Sequence, residues 1–133
     1  MAERVYCLYR GKDQESILMQ KNACHDFAEK KGWNIVGEEQ EIGVSGYKVS
    51  ADDRVKLQRI RKAAEQGEFD ILLLFMYDRL GRNLNETPFI VEWFTKKGIH
   101  VWSVYEGEII DGVDAERMLD YIRFWQTDEA QKL

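Results

Sequence analysis

The fold class that this 133-residue sequence predicts is α/β: a mainly parallel sheet of four or five strands with helices on both faces. Three observations carry that expectation. Segments of strand character alternate four times with segments of helical periodicity, the pattern of parallel strands joined by right-handed crossovers. The stretch Phe69 to Arg82 opens with an apolar run, Ile71 to Met76, bounded by turn signals, which suits a strand buried on both faces. Arginines follow the ends of candidate strands, and open α/β sheets bind their ligands at the carboxyl ends of strands.

Taken in order, Arg4 to Tyr9 alternates and is rich in Val, Tyr and Leu, so it reads as the first strand. Arg10 stands at its carboxyl end, followed by Gly11. Ser16 to Lys31 reads as a helix with Ile17, Cys24, Phe27 and Ala28 on one face and Gly32 as its stop. Trp33 to Glu38 is the second strand. Glu39 to Asp53 is the longest irregular piece, and Gly43-Val-Ser-Gly46 marks a flexible surface loop. That loop carries neither GxxxxGK nor GxGxxG, so it is no phosphate loop by motif. Asp53 to Gln66 is helical through Leu57, Ile60 and Ala64, opened by Arg54 and closed by Gly67. Arg59, Arg61 and Lys62 form its solvated side.

The central strand follows and ends in Asp78, Arg79 and Arg82, with Gly81 allowing a bend between the arginines. Thr87 caps the next helix and Pro88 takes its first position, where a missing N–H costs nothing. Ile90, Val91 and Phe94 make its apolar stripe, and Gly98 ends it. Ile99 to Tyr105 is the fourth strand. A loop, Glu106 to Gly112, leads to a last helix from Asp114 to Ala130. Met118, Ile122 and Trp125 share a face there, which can pack on the sheet or on another subunit.

Composition narrows the function. Hydrophobic residues make up 44% and charged residues 32%, as in a globular domain with a real core. No apolar run approaches the roughly 18 residues of a membrane span, and no signal segment opens the chain, so a cytoplasmic protein without membrane contact is expected. Cys7 and Cys24 form no CxxC pair, and His25 and His100 have no ligand-spaced partner, so a metal site is not expected. The net charge is −5, whereas a free-standing DNA binder is usually basic. Nucleic acid is therefore excluded as a partner, or it is bound with help from elsewhere.

Arg10, Arg54, Arg79 and Arg82 all stand at strand ends or the helix start between them. Four guanidiniums converging there would hold a phosphodiester whose charge grows in the transition state. Asp78 can orient a guanidinium or take a proton. At these residues the chain resembles the serine recombinases, the family of resolvases, invertases and phage-type integrases. The resemblance rests on Tyr77-Asp-Arg-Leu-Gly-Arg82, on Gly43-Val-Ser-Gly46 followed by Asp53-Arg54, and on Gln14-Glu-Ser-Ile17 with Gln20. It covers residues 4 to 110 and implies site-specific DNA strand exchange through a phosphoserine link, without metal or cofactor. It assigns Arg10, Arg54, Arg79 and Arg82 to phosphate contacts, Asp78 to orientation or proton handling, and Gln20 to the polar site. DNA and further copies of the chain, as a dimer and a strand-exchange tetramer, are the partners it implies. Residues 1 to 133 would then be the catalytic domain, with the family's C-terminal DNA-binding domain absent.

One departure matters. The family places its nucleophilic serine two residues after the first-strand arginine, and here that position is Lys12. The segment from Arg10 to Gln20 is also a few residues short. Ser16, the nearest hydroxyl, matches a later serine at the helix start. An altered recombinase, a trimmed loop and a mobile stretch left out of the chain all fit. Two other functions stay open: a catalytically silent oligomerisation module that regulates an intact recombinase, and an unrelated α/β domain binding a phosphorylated small molecule.

Overall fold

A computed structural model describes residues 2–43, 54–81 and 87–109. Five strands form one sheet in the order β2-β1-β3-β4-β5, with β1 at Arg4–Gly11, β2 at Asn34–Ile42, β3 at Ile71–Leu74, β4 at His100–Ser103 and β5 at Gly107–Ile109. The first four are mutually parallel and β5 is antiparallel to β4. The helices are α1 at Gln14–Lys31, α2 at Val55–Glu65 and α3 at Thr87–Lys96. The predicted class is therefore the observed one, with β3 in the middle of the sheet.

The apolar run that suggested a strand buried on both faces is one. Ile71 and Leu73 pack with Val5, Cys7, Tyr9 and the α1 residues Ile17, Cys24 and Ala28. Leu72 and Leu74 point the other way, into a cluster with Leu8, Leu57, Ile60, Ile90 and Phe94 from β1, α2 and α3. The period of two along a strand makes this split automatic. Each such side chain, fully removed from water, contributes about 1.5–3 kcal/mol. The strand stops at Leu74, two residues earlier than the apolar run, because the chain turns into a 3-10 turn over Tyr77–Arg79.

Helix α1 begins two residues before the predicted start. Asp13, not a residue nearer Ser16, is the N-cap: its side chain accepts from the Ser16 N–H at 2.9 Å. Its end is the predicted one. Gly32 sits at φ 74 and sends its N–H back to the Ala28 and Glu29 carbonyls, a conformation that costs a side-chain-bearing residue dearly.

Two expectations are corrected. Glu39 to Ile42 is not irregular but the second half of β2, paired with β1 from Leu8↔Glu39 to Gly11↔Ile42. The glutamates and Gly43 had suppressed the strand signal, yet the ladder to β1 outweighs propensity at an edge strand. The loop from Glu106 likewise contains β5, whose register Ser103↔Gly107 closes a tight hairpin on β4. Gly107 at φ 84 permits that turn. Most of the Gly43–Gly46 loop, together with Asp53, Arg82 and the last helix from Asp114 to Ala130, lies outside the described residues. No described helix is long and apolar enough to cross a membrane.

Candidate active site at the strand ends

The chain runs outward from the centre in both directions: β1 neighbours β2 on one side and β3 on the other. The carboxyl ends of β1 and β3 therefore flank the point where strand order reverses, the place where open α/β sheets form a crevice. Arg10 is the penultimate residue of β1, and Asp78 and Arg79 lie in the turn just past β3.

Arg10 is held on two sides. Its backbone N–H donates to Gln20 Oε1 at 3.1 Å, and its carbonyl accepts from Gln20 Nε2 at 2.8 Å. Gln20 is wholly buried on α1, and its amide takes the place of β3, whose ladder with β1 ends at Leu8↔Leu74. Across the crevice, Arg10 Nη2 donates to the Asp78 carbonyl oxygen at 2.5 Å. Arg10 is only 6% exposed and Asp78 only 7% exposed, so this contact is made in a low-dielectric setting where a charge-assisted bond is strong. Asp78 Oδ1 lies 3.6 Å from Arg79 Nε, and Arg79 is half-buried.

Gly11 lets helix and strand meet. A Cβ there would stand 2.6 Å from Ser16 Oγ and 2.9 Å from Ser16 Cβ. Ser16 Oγ also accepts from Gln20 Nε2 at 3.3 Å. The chain passes from Gly11 through Lys12 directly to the helix cap at Asp13, and Lys12 is exposed. Gly81 is needed for the same kind of reason. It does not occupy the left-handed region; rather, a Cβ there would meet Thr87 Oγ1 at 2.7 Å.

Arg54 has a different setting from the other arginines. It is the N-cap residue of α2, and its side chain makes no capping bond. The guanidinium is instead buried. Nε donates to Glu41 Oε2 at 3.0 Å, Nη2 to Glu41 Oε1, and Nη1 to the Leu80 carbonyl. Both side chains are at most 2% exposed. A phosphate role for Arg54 would require this pair to open. The structure thus brings Arg10, Gln20, Asp78 and Arg79 together, ties Arg54 to the same turn through Leu80, and leaves Arg82 outside the described residues.

Glu41 and Glu106 are site neighbours that the sequence did not reveal. Glu41 is the β2 partner of Arg10 in register, so it arrives at the crevice as part of the ladder. The signal that could have found it is the period of two that puts Gly37, Glu39 and Glu41 on one face of β2, alternating with the exposed Glu38 and Gln40. Glu106 accepts the Tyr77 N–H and sits on the β4–β5 hairpin. Burial, reinforced by the Glu106 charge, pushes the Tyr77 phenol above its ordinary range and keeps it neutral.

Comparisons with known proteins bear on the family and the fold. The family model of the resolvase N-terminal domain matches residues 10–129. The N-terminal catalytic domain of TP901-1 integrase superposes with a TM-score of 0.74 at 26% identity, over 97% of this chain and 98% of that one. A resolvase family site-specific recombinase from Streptococcus pneumoniae gives 0.69 at 22% identity, over 98% of this chain and 89% of that one. The C-terminal catalytic domain of ISC1926 TnpA, an IS607-like serine recombinase, gives 0.68 at 24% identity, over 90% and 79%. The last two similarities bear on the fold alone. No curated protein matches the chain in sequence.

Proposed function

The chain belongs to the resolvase family through its N-terminal catalytic domain, and from that membership we propose how its strand ends handle DNA phosphate. It is a site-specific recombinase domain of the serine type. DNA is its substrate, and it works in the cytoplasm as a homo-oligomer, a dimer that pairs into a tetramer for strand exchange. Family membership sets aside the reading as an unrelated binder of small phosphorylated molecules.

The observation that carries the site is the Arg10–Asp78 link across the switch point. It supports a single crevice in which Arg10 and Arg79 face the non-bridging oxygens of a phosphodiester, and the family motif adds Arg82 as a further phosphate contact. Fixed guanidiniums aimed at developing charge need no metal to stabilise it. Asp78 orients Arg79 or takes a proton. Gln20 keeps the end of β1 in place, and the Glu41–Arg54 pair braces the turn through Leu80.

What this crevice lacks is an oxygen nucleophile at position 12. Lysine cannot form the phosphoserine bond, and loss of a nucleophile costs many orders of magnitude even when charge stabilisation survives. The 133-residue chain therefore binds phosphate at the strand ends without joining itself to DNA. A denaturing gel of the protein with labelled DNA tests this. No adduct is expected from the chain itself. A serine placed at position 12, with the few residues around it, in a protein that carries a DNA-binding domain should produce an adduct that Arg79→Ala abolishes. An adduct from the unaltered chain would overturn the proposal and make Ser16 the first residue to test. Lys12 also favours a second reading, a silent protomer that assembles with an intact recombinase and regulates it. Mixed with an active family member, such a protomer lowers recombination in proportion to its share of the assembly.

A further inference from the structure

The Tyr77–Arg79 turn carries the site's carboxylate and one of its arginines, and something has to hold it at a fixed height above β3. Within the turn, Arg79 N–H bonds to Met76 O and Leu80 N–H to Tyr77 O, both at 3.0 Å. Those bonds close the turn on itself but leave the Tyr77 N–H unused. Glu106 takes it, with Oε2 at 3.2 Å and Oε1 at 3.4 Å. The carboxylate is itself fixed. Ser103 Oγ donates to Glu106 Oε2, and the Glu106 N–H donates back to Ser103 Oγ at 2.8 Å. Ser103 is fully buried at the end of β4, so the reciprocal pair is anchored in the sheet. The parallel ladder runs on past the strands to the same spot, through Val104 N–H to Leu74 O at 2.9 Å and Tyr105 N–H to Phe75 O at 3.3 Å.

We infer that Glu106 is a positioning residue for the active-site turn: its carboxylate, locked by Ser103, holds the Tyr77 amide and so sets where Asp78 and Arg79 face the crevice. The chain of contacts continues to Arg10, whose Nη2 bonds to the carbonyl of Asp78. Glu106 touches no substrate itself. The tight β4–β5 hairpin is what returns it to β3. This inference rests on the reading of Arg10 and Arg79 as phosphate ligands.

The test compares the unaltered chain with Glu106→Ala, Glu106→Gln and Ser103→Ala by NMR, with inorganic phosphate as the probe. Three signals are followed: the Tyr77 amide, and the Nε–H of Arg10 and of Arg79 during titration. Glu106→Ala should move the Tyr77 amide upfield, as expected for a lost charge-assisted bond. It should also weaken phosphate binding by about tenfold, which is ~1.4 kcal/mol. Glu106→Gln keeps a carbonyl oxygen that can accept from both the Tyr77 N–H and the Ser103 hydroxyl, so it should restore affinity to within about threefold of the parent. Ser103→Ala, which leaves the carboxylate in place but unlocked, should fall between them and covers the case in which Glu106→Ala fails to fold. A Tyr77 amide unmoved in folded Glu106→Ala, or equal loss of affinity in the Ala and Gln variants, overturns the inference. If phosphate shifts neither arginine in the unaltered chain, the phosphate reading fails instead, and positioning is decided by the Tyr77 amide and by the Arg79 Nε–H shift between variants.

Discussion

Arg10 spans the gap between two parallel strands, placing Nη2 2.5 Å from the carbonyl oxygen of Asp78. The bond ties the ends of β1 and β3 together where no strand ladder remains to do so. Arg10→Ala would strand a buried carbonyl and remove a charged donor, a loss of about 1.5–3 kcal/mol. Urea denaturation should show that drop. Arg10→Lys should recover only part of it, because an ammonium cannot reproduce the planar fork. Phosphate binding at the crevice should fall in both variants.

The Glu41–Arg54 pair makes a sharper stability prediction. Both side chains are at most 2% exposed, and Arg54 also reaches the Leu80 carbonyl. Glu41→Ala leaves a guanidinium buried without its counter-charge, which typically costs about 3–5 kcal/mol. The double variant Glu41→Leu with Arg54→Met removes both charges, so it should be much less destabilised than either single change. Chemical denaturation of the parent, Glu41→Leu, Arg54→Met and the double variant, taken as a double-mutant cycle, gives the coupling directly. If Glu41→Ala unfolds no more easily than the parent, the pair is not the brace described above.

Acid stability should depend on a site far from the crevice. The Arg4 guanidinium and backbone N–H both donate to Asp70, at 2.9–3.0 Å, and hold its carboxyl below the ordinary range. A carboxyl lowered in the folded state stabilises the fold above its unfolded value, about 3.9, and loses that contribution as pH falls through the lower folded value. Asp70→Asn should therefore lower the denaturation midpoint at pH 7, with the difference from the parent closing below pH 4. The effect is small, because the two side chains are 45% and 35% exposed and water screens the pair. A gap between parent and variant that widens toward acid would refute the assignment.

The sequence by itself determined the α/β class, the central strand and the helix stop at Gly32. Each rests on local physics: Ile71–Leu74 is apolar at every position, so both its faces must be covered, and Gly32 alone fits the left-handed turn. It also placed Arg10, Asp78 and Arg79 at strand ends, because α/β alternation fixes which end of each strand is shared. It could not see that Glu39 to Ile42 is strand, since those residues pair with β1 only through a ladder formed with residues about thirty positions away. Nor could it see β5, three residues held by a hairpin. The partners of the charged groups were decided by tertiary structure alone. Arg54 meets Glu41 and Leu80, and Glu106 meets Tyr77, only after the sheet has brought their strand ends side by side. Hydrogen bonding is short-ranged and directional, so a pattern of residue types can name the charges but not which ones will be buried together.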